Sequence, residues 1–185
     1  MKRVVPVFVL LLPLTGCLGK NRELERGMEL RAKLLSSSCS FDATITADYG
    51  DDIYIFSMDC QADSQGNLTF TVTEPETISG ISGSLSVTGG NLTFDEAVLA
   101  FPMLADGQLT PVSAPWILVK TLQGGYLRSA GMDGDLIRLS IDDSYEADAL
   151  QLDIWLDSAS FPVKADIMYA GRRILSVKVS NFQFL

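Results

Sequence analysis

The chain has 185 residues, about one domain's worth, of which 47% are apolar and 20% charged; that balance excludes a disordered chain. A net charge of −9 argues against nucleic acid as a partner, because nucleic-acid binders carry basic patches. Histidine is absent, so Ser-His-Asp and Cys-His catalysis and His-containing zinc sites are excluded.

The chain opens Met1-Lys2-Arg3 and enters an apolar stretch from Val4 to Leu14. A basic start before a short apolar run is the secretory pattern. The run is too short to span a bilayer, which takes roughly 20 residues, and Pro6 and Pro13 weaken any longer helix. It ends in Leu14-Thr15-Gly16-Cys17, which resembles the bacterial lipobox. That resemblance implies a signal peptide over 1–16, a diacylglycerol thioether on Cys17 and a short tether to residue 21. Two acyl chains suffice for stable anchoring. The expected mature protein is therefore held on the extracytoplasmic face of a bacterial membrane, with a single domain over 22–185.

Arg22 to Leu35 reads as an amphipathic helix with Leu24, Met28, Arg31 and Leu35 on one stripe and Leu34 beside it. Residues Lys20 to Leu34 hold five cations and three acids, whereas the chain from Leu35 onward holds seven and 20. The end nearest the anchor is mildly basic and the body strongly acidic, a polarity that an anionic lipid surface would sort; a purely solvated helix face is the alternative.

From Ser40 the period becomes two. Phe41, Ala43, Ile45 and Ala47 alternate with polar residues, Tyr49-Gly50 turns the chain, and Ile53 to Cys60 returns. If Asp48 lies opposite Asp51, then Ile45 faces Tyr54, Ala43 faces Phe56, Phe41 faces Met58, and Cys39 faces Cys60. Opposed residues of a non-hydrogen-bonded pair stand about 4.5 Å apart, close enough for a disulfide. Export makes the bond chemically reasonable, and it would contribute roughly 3 kcal/mol by closing a loop of about 20 residues. Two buried thiols are the alternative.

Alternation continues through Asn67–Thr73, Ser79–Val87 and Asn91–Phe101. Phe101 to Val112 then holds Phe101, Met103, Leu104 and Leu109 in an irregular segment that must be covered or must cover something apolar. Ser113 is the expected cap of a helix with Pro115 in its first turn and Gly124-Gly125 at its end. That helix is apolar nearly all round, which calls for burial. Further strands follow at Tyr126–Ala130, Asp135–Ile141, Ala147–Asp157, Pro162–Tyr169 and Arg173–Phe184. Leu156 is expected against Val163 and Ile154 against Ala165. Phe182 and Phe184 fall out of phase, so either a bulge intervenes or the strand end packs on the other face.

The fold class expected is therefore mainly β with helices: an antiparallel sheet of about ten strands, too long to stay flat, curled round an apolar helix. The order of elements resembles the LolA/LolB-like lipoproteins, the LppX and LprG type included. The best local match is Leu152-Asp153-Ile154-Trp155-Leu156-Asp157, Phe161-Pro162-Val163-Lys164, Gly171-Arg172 and Val177-Lys178-Val179-Ser180-Asn181-Phe182. The resemblance implies an unclosed barrel with helices as a lid and an apolar cavity suited to acyl chains.

On that reading a lipid or other hydrophobic ligand would meet Phe56, Phe70, Met103, Leu104, Leu109, Trp116 and Leu118. The same side chains could instead fill a solid core, leaving an envelope interaction module whose protein partner the sequence does not name. An enzyme is not expected. Gly80-Ile81-Ser82-Gly83-Ser84 lacks the final Gly of a nucleophile elbow and has no His to serve it. The acidic loop Asp142-Asp143, Glu146 and Asp148 lacks the Gly and terminal Glu of an EF-hand, so no cofactor or metal is expected.

Overall fold

The computed structural model describes residues 21–86, 105 and 110–185. The signal peptide, Cys17, the expected strand Asn91–Phe101, and Met103, Leu104 and Leu109 lie outside the described residues.

Helix α1 (Arg22–Leu34) starts where the Asn21 side chain accepts the Leu24 N–H at 3.0 Å. Glu23 and Glu25 lie in its first turn and Arg31 and Lys33 in its last, each sign complementing the helix dipole. The buried face is Gly27, Leu30 and Leu34, not the expected stripe: Leu24, Met28 and Leu35 point outward. The reason lies in Gly27. A Cβ there would sit 3.0 Å from Leu139 Cδ1, so the helix seats where its side chain is smallest. Periodicity that counts only large apolar residues misses such a contact.

Nine strands follow among the described residues: β1 (Cys39–Asp48), β2 (Ile53–Ala62), β3 (Leu68–Glu74), β4 (Ser82–Leu85), β5 (Tyr126–Asp133), β6 (Leu136–Asp142), β7 (Gln151–Leu156), β8 (Pro162–Tyr169) and β9 (Arg172–Phe184). Helix α2 (Ala114–Gly124) precedes β5. All pairings are antiparallel, in the order β4-β3-β2-β1-β9-β8-β7-β6-β5. Two meanders thus meet at a central seam between the first and last strands. Their outer members, β4 and β5, stand at opposite ends of the sheet. This is the expected unclosed antiparallel barrel. Its inner face carries the alternating apolar side chains of β1, β2, β3, β6, β7 and β9, packed against α1 and α2 in one core.

The first hairpin is shifted by two residues from the expected register. Ile45 pairs Phe56, Ala43 pairs Met58 and Phe41 pairs Cys60, while Cys39 pairs Ala62. The turn is longer than Asp48–Asp51: Asp48 faces Ile53, the Tyr49 N–H donates to the Asp52 carbonyl at 3.0 Å, and Asp48 Oδ1 accepts the Gly50 N–H at 2.8 Å. A two-residue slip leaves every side chain on its expected face, which is why alternation alone does not detect it. It does separate the cysteines. The expected Cys39–Cys60 disulfide is absent, and both are buried free thiols.

The β7–β8 hairpin matches expectation at Ile154↔Ala165; past Trp155 a bulge sets Leu156 against Pro162 rather than Val163. The phase problem at the C-terminus resolves as a bulge. Asn181 adopts φ 52°, and the β1–β9 register shifts between Ser40 and Asp42. That extra residue returns Phe182 to the inner side, stacked on Phe41 at 5.8 Å.

Candidate functional site: the concave face and its apolar helix

Helix α2 is led in by a 3-10 turn at Pro111–Ser113. Ser113 does not cap it. Its hydroxyl donates backward to the Thr110 carbonyl at 2.6 Å. From Ala114 to Leu122 every side chain but Lys120 is buried, as the all-round apolar pattern requires. The helix end is fixed by a close approach. A Cβ on Gly125 would lie 2.6 Å from Ile141 Cγ2 and 2.7 Å from the Thr121 carbonyl oxygen, so only glycine lets α2 turn into β5 against β6.

Polar side chains fasten α2 to its surroundings. Arg31 of α1 donates to the Leu122 and Gly125 carbonyls at 2.7 and 2.8 Å, satisfying carbonyls that the helix end leaves open. Burial pulls this guanidinium below its ordinary pKa, though it stays charged. Gln123 donates to the carbonyls of Leu34 and Asp63 at 2.9 and 3.3 Å. The Trp116 indole N–H donates to the Gly66 carbonyl at 2.9 Å, and the Lys120 ammonium lies 4.9 Å from the Trp116 ring centre. The hydroxyls of Thr110 and Thr121 are buried and have no hydrogen-bond partner among the described residues.

The expected ligand-lining residues divide accordingly. Phe56, Phe70, Trp116 and Leu118 are 1–6% exposed and belong to one core on the concave side. Met103, Leu104 and Leu109 lie outside the described residues. The two thiols share this face. Burial pushes Cys39 up to about 11 and pushes Cys60 further in the same direction, so neither is a thiolate at neutral pH.

The sequence reading did not single out the outer face of β6 to β9. There Asp153 and Asp166 are direct cross-strand partners and more than nine-tenths buried. Asp153 accepts from Arg138 at 2.5 Å and Ser140 at 2.6 Å. Asp166 accepts from Lys164 at 3.0 Å and from Ser176. Two residues along, Trp155 lies between Lys164 and Arg138, 4.2 and 5.5 Å from its ring centre, and donates to Asp133 at 2.8 Å. With both carboxylates engaged by donors, this network reads as a stitch across four strands rather than a catalytic pair. The signal was present in the sequence: the β7–β8 register that sets Ile154 on Ala165 also sets Asp153 on Asp166 and Trp155 on Lys164.

The acidic loop behaves as a turn. Asp143 Oδ1 accepts the Leu150 N–H at 2.8 Å and Asp142 pairs with Arg128 at 3.4 Å. Among the described residues no three acidic or cysteine side chains converge on a cation-sized site, and no helix is long and apolar enough to cross a membrane.

No family model and no curated protein matches this chain. Among solved structures it is similar to the LolA superfamily protein NE2245 from Nitrosomonas europaea, at 10% identity and TM-score 0.38 over 86% of this chain and 93% of that one. It is similar to LprF from Mycobacterium bovis at 12% identity and TM-score 0.36, over 87% and 92%. In the Pseudomonas aeruginosa MucA/MucB complex, the matched chain shares 10% identity at TM-score 0.38, over 88% of this chain and 56% of that one.

Proposed function

We propose that this protein is a membrane-anchored extracytoplasmic lipoprotein that binds a lipid or another apolar ligand against the concave face of its sheet. The observation that carries the reading is the seating of α2: an almost wholly apolar helix laid into an apolar concavity whose sheet, among the described residues, is not closed, with β4 and β5 at its two ends. An interior of this kind can admit an acyl chain by a shift of one helix, without breaking strand pairs. The buried hydroxyls of Thr110 and Thr121, before and after Trp116 in sequence, are polar handles for a headgroup or carboxylate. The lipobox resemblance at Leu14–Cys17 supports the anchor and the extracytoplasmic location.

Trp116 offers the test. In a Trp155→Phe variant it is the one remaining tryptophan. Titration with a dibrominated fatty acid or phospholipid should quench its emission saturably, and native mass spectrometry of protein from its own membranes should show a copurifying lipid. The absence of both quenching and bound lipid would overturn the reading. It would leave the second one, an interaction module with a filled core, which the tight packing of α2 favours: Leu118 is 1% and Leu122 2% exposed.

A further inference from the structure

Leu24, Met28 and Leu35 are 41%, 46% and 53% exposed; the first two lie on α1 and Leu35, still in helical conformation, is its C-cap. At about 100° per residue they fall within about 40° of one another on the helix surface. Gly27, Leu30 and Leu34 form the separate stripe that packs on the body, where α1 meets α2, β5 and β6. The helix therefore carries two apolar stripes, and the fold uses one of them.

We propose that the outward stripe rests on the membrane to which Cys17 ties the chain, with α1 lying along the bilayer surface between the lipid and the sheet. The inference deepens the anchoring reading above and rests on it. Its first support is reach. Cys17 stands four positions before Asn21, and four extended residues span at most about 14 Å. A helix of 13 residues, about 20 Å long, thus begins within a short step of the headgroups. The second support is charge. The segment Lys20 to Leu34 carries five cations and three acids, while the body behind it carries seven and 20. An anionic bilayer attracts the first and repels the second, which fixes which side of the molecule turns toward the lipid. Three side chains bind a membrane weakly by themselves; the acyl anchor makes the second contact intramolecular.

The experiment uses the full-length lipidated protein in vesicles of phosphatidylethanolamine and phosphatidylglycerol, spin-labelled at Met28→Cys or, as the control one residue on, at Glu29→Cys. Relaxation by oxygen, which concentrates in lipid, is compared with relaxation by a water-soluble nickel chelate. The oxygen-to-nickel ratio should be several-fold higher at 28 than at 29, and Leu24→Gln/Leu35→Gln should abolish that difference. A label at 28 that nickel reaches freely, on protein that stays with the vesicles, overturns the stripe contact and leaves the anchor standing. A label at 28 screened from both reagents overturns it in favour of a protein neighbour. Protein that does not stay with the vesicles overturns the inference and the anchoring reading together.

Discussion

Asp153 of β7 and Asp166 of β8 face each other across the sheet, two carboxylates at adjoining positions and both almost fully buried. Like charges so placed oppose pairing. Here Arg138 on Asp153, and Lys164 with the more distant Arg173 on Asp166, supply the opposite charge, and Ser140 and Ser176 donate as well. Removing one cation should therefore matter more than an ordinary surface ion pair would. A double-mutant cycle on Lys164→Met and Asp166→Asn should give a coupling of about 1 kcal/mol in urea unfolding, with Lys164→Met the costlier while Asp166 keeps its charge. Strict additivity would show that the two side chains do not act together.

Gly124 and Gly125 adjoin in sequence and differ in their surroundings. A Cβ on Gly125 meets Ile141 and a backbone oxygen of α2, whereas one on Gly124 meets nothing within 4 Å. Gly125→Ala should destabilise the fold by about 2 kcal/mol, and Gly124→Ala should be neutral or stabilising by about 0.5 kcal/mol. Thermal unfolding of the two variants side by side checks the contrast.

Arg31 ties α1 to the last carbonyls of α2. Arg31→Ala should cost about 1–3 kcal/mol and speed amide exchange at the end of α2, because two buried carbonyls lose their donor. Arg31→Lys should recover part of the loss, since an ammonium lacks the planar fork that reaches both oxygens. Arg22→Ala, at an exposed position, should change stability by no more than about 0.5 kcal/mol.

The thiols set an alkaline limit. Cys39 rises from its ordinary 9.0 to about 11 because burial disfavours the thiolate. Across that interval the unfolded chain gives up the proton while the folded chain keeps it. Stability attributable to this group is thus full below pH 9.0 and declines by about 2–3 kcal/mol as the pH climbs to about 11. Cys39→Ala should make the decline in denaturant midpoints shallower across the range, leaving the part that Cys60, raised in the same direction, contributes. In the native protein neither Cys39 nor Cys60 should react with a thiol reagent near neutral pH, and both should react in denaturant.

Much of the architecture was legible because alternation is a strong signal where one sheet face is buried. Phe41, Ala43, Ile45 and Ala47, and later Leu152, Ile154 and Leu156, declared both strand and inner face. The burial of α2 was legible from its lack of a polar side. What alternation cannot fix is register in steps of two, and the expected Cys39–Cys60 bond fell on that gap. The orientation of α1 was misread for a related reason: its contact is made by Gly27, a residue with no hydrophobicity to count. The Asp153–Asp166 stitch could have been found, since its register was already in hand, but polar residues on a strand face read as solvated until their neighbours are placed.

The seam between β1 and β9 carries a consequence for how the molecule comes into being. The Asn181 side chain donates to Asp42 from 139 positions away, and β9 is synthesised after the eight other described strands. Until it emerges, a nascent chain holds two unlinked hairpin stacks with open central edges, each an invitation to aggregate. Completion is a zipper drawn only when β9 arrives, with the slow kinetics that distant pairing imposes. Deletion of β9 would thus cost far more than one strand, because it would divide the described sheet into two.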